Sequence, residues 1–180
     1  MPSFKSVETL GSQSLQDRIR LALEDDLRGG QLQPGMAISE QDLCARFSAS
    51  RTPVREALLL LAAKGMVSIL PRAGIYVRHL EARELMAMME GLAELEGVLA
   101  RLAANRINAE QQEQLTAALA QTAACAQAED PITYEQANAR LHEIIYQASG
   151  NAFIIEQTRQ VRLRIAPYRG QLFEKPGRLA

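Results

Sequence analysis

No tryptophan occurs in this 180-residue chain, aromatic side chains make up 4 % of it, and it has two cysteines and two histidines. Scarce aromatics beside abundant Ala and Leu disfavour a β-sandwich and favour helices packed on aliphatic seams. Cys44 and Cys125 lie far apart and fit no Cys-x-x-Cys pattern, so they read as reduced structural thiols, not as a disulfide framework or a zinc ribbon. An enzyme such as a metal-dependent hydrolase needs a nucleophile–base pair or several clustered ligands. Two isolated histidines and no clustered carboxylates argue against that. No apolar run approaches the roughly 20 residues needed to cross a bilayer, and the opening MPSFKSVETL lacks a basic-then-apolar signal segment. A cytoplasmic, non-enzymatic protein with no membrane partner is expected.

A strong overall charge is lacking too, since the net value is −1. That average conceals a cluster. Between residues 46 and 78 six basic side chains (Arg46, Arg51, Arg55, Lys64, Arg72 and Arg78) stand against one acid, Glu56. Residues 80–180 carry ten basic and thirteen acidic side chains and are the more acidic part. A local basic cluster is what phosphate binding requires, whatever the chain average.

With 47 % hydrophobic residues the chain can bury a core, and its length allows one large or two small domains. Leu15, Ile19, Leu23 and Leu27 recur every fourth residue, which predicts an amphipathic helix over 15–28 stopped at Gly29-Gly30. Pro34-Gly35 reads as a turn. Ser39 opens a second helix as its cap, with Asp42 as capping-box partner and Leu43 and Phe47 facing inward. Ser48-Ala49-Ser50 is a connecting turn. Ser50 is expected to cap a third helix whose first turn tolerates Pro53 and whose end lies near Lys64-Gly65. The β-branched runs 67–70 and 75–78 flank Pro71-Arg72-Ala73-Gly74, a hairpin with a basic tip.

From Glu81 onward the pattern becomes long helical segments, predicted near 82–106, 109–127, 134–149 and 152–169. Asn108, Thr133 and Asn151 are the expected caps, Gly150 a stop and Asp130-Pro131 a breaker. The fold class is therefore mainly α: a winged helix-turn-helix with a small hairpin wing over 1–80, then an all-helical bundle over 81–180.

At about 100° per residue, Arg51, Thr52 and Arg55 share an arc of about 100° at the start of the third helix. This is the part that a helix-turn-helix presents to the major groove. Arginine can pair with guanine O6 and N7, and threonine can reach a base edge or a phosphate. Ser50 and the neighbouring amides form a phosphate seat at a helix N-terminus. Arg72, at the hairpin tip, can enter the flanking groove, and Arg46 suits a backbone contact. The stretch 57–63 (ALLLLAA) is apolar all round, so it is expected to be covered on more than one side, by the wing and a neighbouring domain or subunit.

The segment LRGGQLQPGMAISEQDLCARFSASRTPVREALLLLAAKGMV with the wing PRAGIYV resembles the winged-helix domain of the GntR superfamily of bacterial transcription regulators. The resemblance implies operator contacts at Arg51, Thr52 and Arg55 and at the wing tip Arg72–Gly74. It departs at Gln41, a position that is often Arg in relatives. ELEGVLARLAANRI and NARLHEIIYQASGN resemble the helical FCD domain of one GntR branch. That implies dimerisation and a small-molecule effector, commonly a carboxylate and often held through a divalent metal. Asn138 and His142 match the first metal-ligand pair of the family, on one helix face. The remaining imidazoles have no counterpart after His142, and Leu92 stands where relatives often carry Arg. The resemblance further implies that more helices follow KPGRLA, so the second domain is expected to be incomplete, with metal binding dependent on ligands from elsewhere. The expected function is a metabolite-responsive repressor that binds a pseudo-palindromic operator as a homodimer. The alternative is a helical interaction module or a truncated regulator without a working sensor.

Overall fold

The computed structural model describes residues 14–128 and 130–173. Among them are seven helices and a three-stranded sheet. In chain order they are α1 (Leu15–Arg28), β1 (Ala37–Ile38), α2 (Glu40–Phe47), α3 (Arg51–Ala63), β2 (Val67–Leu70), β3 (Gly74–Val77), α4 (Ala82–Arg106), α5 (Ala109–Gln127), α6 (Pro131–Ser149) and α7 (Ala152–Phe173). The class is mainly helical with a small antiparallel sheet, as the sequence implied. No helix of the described residues is long and apolar enough to cross a membrane.

Helix α1 buries Ile19, Leu23 and Leu27 against Val54, Ala57, Leu58 and Leu61 of α3, and α2 adds Leu43. The sheet order is β1-β3-β2, with Val67 opposite Val77 and Leu70 opposite Gly74. Its first strand is an addition to the sequence reading. Ala37 and Ile38 pair with Tyr76 and Ile75; two residues are too few for alternation to register.

Local chemistry accounts for most element ends. Ser39 Oγ accepts from the Asp42 amide at 3.2 Å, capping α2. At the end of α3, Gly65 adopts a φ of +71°, its N–H donates to Ala62 O, and Met66 N–H donates to Leu61 O. That is the paired hydrogen-bonding of a Schellman end. Asn108 and Gln111 form a complete capping box on α5.

Three expectations are corrected. Ser50 occupies the cap position of α3, but its side chain makes no capping bond. Helix α6 starts at Pro131, not near 134: Asp130 is the cap, accepting from the Ile132 and Thr133 amides, and Pro131 fills the first turn, where no N–H partner is lost. Asp130-Pro131 does mark the break between α5 and α6, as expected, and it also starts α6. Helix α7 continues past 169 to Phe173 with Pro167 inside it. Of the apolar run 57–63, Ala57, Leu58 and Leu61 are buried, whereas Leu59 and Leu60 are 59 % and 37 % exposed in the single chain.

In the second part, α4 packs on α6 and α7, and α5 packs on α6. Helix α7 also reaches back to the winged helix. Leu163 completes the core formed by α1, α3 and the sheet. Arg164 Nε donates to Lys64 O at 2.6 Å, and the Leu80 amide donates to Tyr168 Oη at 2.6 Å. The base of the wing is thus held by the last described helix.

Candidate nucleic-acid interface

Helix α2 leads through the Ser48–Ser50 turn into α3 and packs against it. Ser48 bends the chain there with a left-handed φ of +49°. Arg51 and Thr52, in the first turn of α3, are exposed, and so is Arg55 one turn later. Val54, on the adjoining arc, is fully buried. A buried arc next to a polar one fixes the direction in which Arg51, Thr52 and Arg55 can face.

The cations differ in their surroundings. Among the described residues no acceptor holds Arg51 or Arg72. Arg55 Nε donates to both oxygens of Glu40, at 2.9 and 3.1 Å, and this bond raises its already high pKa. Arg46 donates to both carboxylate oxygens of Asp26 and lies over the Phe47 ring, its guanidinium carbon 4.9 Å from the centroid. The hydrogen bond to Asp26 likewise holds Arg46 firmly protonated. Sequence separation hid both partners, which lie 15 and 20 positions away.

The wing tip is a tight β2–β3 connection. Arg72 is exposed with a φ of +64°, Ala73 N–H donates to Leu70 O, and Tyr76 Oη braces the turn by donating to Ala73 O. Gly74 has a φ of +118°, a region that side-chain-bearing residues rarely enter. The conformation of the tip therefore accounts for that glycine. A left-handed arginine costs about 1–2 kcal/mol and is offset by the surrounding sheet.

Asn138 and His142 both lie on α6, at intermediate exposure. What surrounds His142 is not a metal donor set. Its Nδ1 is 3.5 Å from Glu96 Oε1, and the same oxygen accepts from Tyr146 Oη and, at 2.7 Å, from Arg162 Nη1. The Arg162 guanidinium also lies over the Tyr146 ring. A fixed cation on the shared carboxylate repels a metal ion and uses its lone pairs, so the residues present do not fit a metal. Among the described residues no group of three or more His, Cys, Asp or Glu could hold one. Burial and the Glu96 contact push the Tyr146 phenol far above the usual tyrosine range.

Glu96, Tyr146 and Arg162 escaped the sequence reading. A signal existed for two of them. Glu96 falls on the α4 stripe of Leu92, Leu99 and Ala103, and Arg162 on the α7 stripe of Ile155, Thr158 and Ile165. A charge on an apolar stripe needs a partner.

A winged helix with an exposed cationic first turn, followed by a helical bundle, defines a class of two-part DNA-binding proteins. Sequence comparison narrows the class: the family described as bacterial regulatory proteins, gntR family, matches residues 15–77, and the FCD domain matches residues 85–180. The chain belongs to the gntR family, in the branch that carries an FCD domain. It is 33 % identical over 104 residues to the HTH-type transcriptional repressor RspR of Escherichia coli K12, covering 58 % of this chain and 46 % of that protein. It is 41 % identical over 73 residues to the Nta operon transcriptional regulator of Aminobacter aminovorans, covering 41 % of this chain and 35 % of that regulator. The chain thus spans about half the length, or less, of these curated relatives. The solved structure of E. coli McbR/YncC superposes with a TM-score of 0.79 at 25 % identity, over 93 % of this chain and 79 % of that one.

Proposed function

We propose that this chain is a sequence-specific, DNA-binding transcription regulator, acting in the cytoplasm as a repressor on a pseudo-palindromic operator. Residues 1–80 form its reading unit and residues 81–180 its effector and dimerisation unit. One observation carries the reading: Arg51, Thr52 and Arg55 in the first turns of α3 and Arg72 on the wing are all exposed, while Val54 on the adjoining arc of α3 is buried. Arg51, Thr52 and Arg55 read base edges, with Arg55 exchanging Glu40 for DNA. Ser50 and Arg46 meet phosphates, and Arg72, on the tip shaped by Gly74, grips the flanking groove.

Two copies on two half-sites give the operator its symmetry. Met86 and Met89, exposed on α4, supply apolar surface for a second copy. A small-molecule effector acting through the helical part must favour one arrangement of the two reading units over another. The names of the relatives, regulators and a repressor, support the regulatory reading over an enzymatic one.

Selection of bound duplexes from a random pool tests this. The expected result is enrichment of an inverted repeat, with half-sites about one helical turn apart or a multiple of it. A pool that stays random after selection at moderate salt would count against the reading.

A further inference from the structure

Between α1, the end of α3 and the facing sides of α6 and α7 lies a cleft of about 400 Å³. That volume suits a small-molecule site, and junctions between structural units are a common place for one. Four cations line it: Arg28 and Lys64 from the winged-helix wall, Arg159 and Arg162 from α7. Four carboxylates answer them: Glu24 from α1, Glu135 and Glu143 from α6, and Glu156 from α7. Dense charge with no net sign repels a polyanion as much as it attracts one. A molecule with one positive and one negative group complements both.

These charges are not equally available. Glu24, its side chain 4 % exposed, takes Lys64 Nζ at 2.9 Å and Arg20 Nη1 at 2.7 Å. Glu143 is bonded to Arg159. Arg162 commits its Nη1 to Glu96 and Tyr146, yet among the described residues no acceptor takes its Nε or Nη2. A guanidinium is a planar fork of five donors, and the Nε–Nη2 edge is a bidentate carboxylate receptor. Glu135 has no described hydrogen-bond or ion-pair partner, so its carboxylate is open to a cation. Leu163, Ala139 and Ala166 supply apolar wall in the same cleft.

We propose that this cleft binds a free amino acid or a closely similar zwitterion, its carboxylate on the Nε–Nη2 edge of Arg162 and its ammonium at Glu135. No metal takes part. Because α1 and Lys64 form one wall while α6 and α7 form the other, occupancy ties the reading unit to the helical part. It acts one turn from Arg164 and Tyr168, which hold the base of the wing. That effect on operator affinity, unlike the binding itself, rests on the function proposed above.

The test is titration calorimetry of the 180-residue chain with each common L-amino acid, then with the N-acetyl and amide derivatives of any that bind. At least one amino acid is expected to bind, with both derivatives about tenfold weaker or worse, since each loses one charged contact. Arg162→Gln is expected to weaken binding similarly. Should that change disturb the fold through Glu96, Ala139→Leu decides: it fills the cleft, removes no polar group and is expected to abolish binding. No heat from any amino acid, derivatives that bind as tightly, or binding unchanged in Ala139→Leu would each overturn the proposal. Intact amino-acid binding without sequence-selective DNA binding would strike the regulatory reading alone.

Discussion

Arginines in the two parts of the molecule meet opposite fates. In the winged helix, Arg51 at the start of α3 and Arg72 between β2 and β3 are exposed and no described acceptor holds them. Among α4, α6 and α7, Arg162 is drawn over Tyr146 and bonded to Glu96. Water solvates an exposed guanidinium well, so leaving it unpaired costs little and keeps its donors ready for another molecule. A half-buried one must be answered from within. Hence the outward arginines keep all their donors for another molecule, while Nη1 of the inward one ties α4, α6 and α7 together. Arg55 stands between these cases: it is exposed yet bonded to Glu40, and that pair must open before it can touch DNA.

The contrast breaks most sharply at Leu163, which belongs to α7 but sits in the winged-helix core. Leu163→Ala is expected to destabilise the reading unit by about 2–4 kcal/mol, seen as a lower denaturation midpoint for the α3 region. An effect confined to the helical part would show that the two parts do not share a core. Next comes Glu96→Ala, which leaves Arg162 half-buried without its carboxylate. A loss of about 1.5–3 kcal/mol is expected from urea unfolding, against a negligible change for Glu40→Ala at the exposed Arg55 pair. Equal losses in the two variants would erase the distinction between inward and outward arginines.

Smaller effects sharpen it. The Tyr146 phenol is raised above its ordinary value of 10.0, chiefly by burial and then by Glu96. A raised folded value means that stability is fully present below the unfolded value and declines as pH climbs above it. Unfolding free energy should therefore fall with pH in the alkaline range, and Tyr146→Phe should flatten that slope. A slope unchanged by the substitution would remove the phenol from the account. Arg72→Ala should lower affinity for all duplexes alike and reduce the salt dependence by about one counterion, leaving stability nearly unaltered.

How much of this was legible depended on distance along the chain. Helices α1 to α3 and the hairpin follow from apolar spacing, Ser39, Gly65 and Pro71–Gly74, all local signals. Arg51 and Thr52 could be placed on the surface because Val54, Ala57 and Leu61 on the adjoining arc had to be inside, and Arg72 because it lies at a hairpin tip. Pairings could not be read. Glu96 lies 50 residues from Tyr146 and 66 from Arg162, and Arg164 bonds a carbonyl 100 residues earlier. Spacing within one helix carries no information about which stripe of another it meets. Asp130-Pro131 was legible as the break between two helices but not as the start of α6. The same pair that ends one helix begins the next, and composition does not say which end it serves.

The most direct measurement is fluorescence anisotropy at fixed salt, comparing the wild-type chain with Arg51→Ala on a duplex selected from the random pool and on a scrambled one. Arg51→Ala is expected to lose about 1–3 kcal/mol on the selected duplex and far less on the scrambled one. Equal affinities of the two proteins for the selected duplex would contradict the claim that the exposed start of α3 reads DNA.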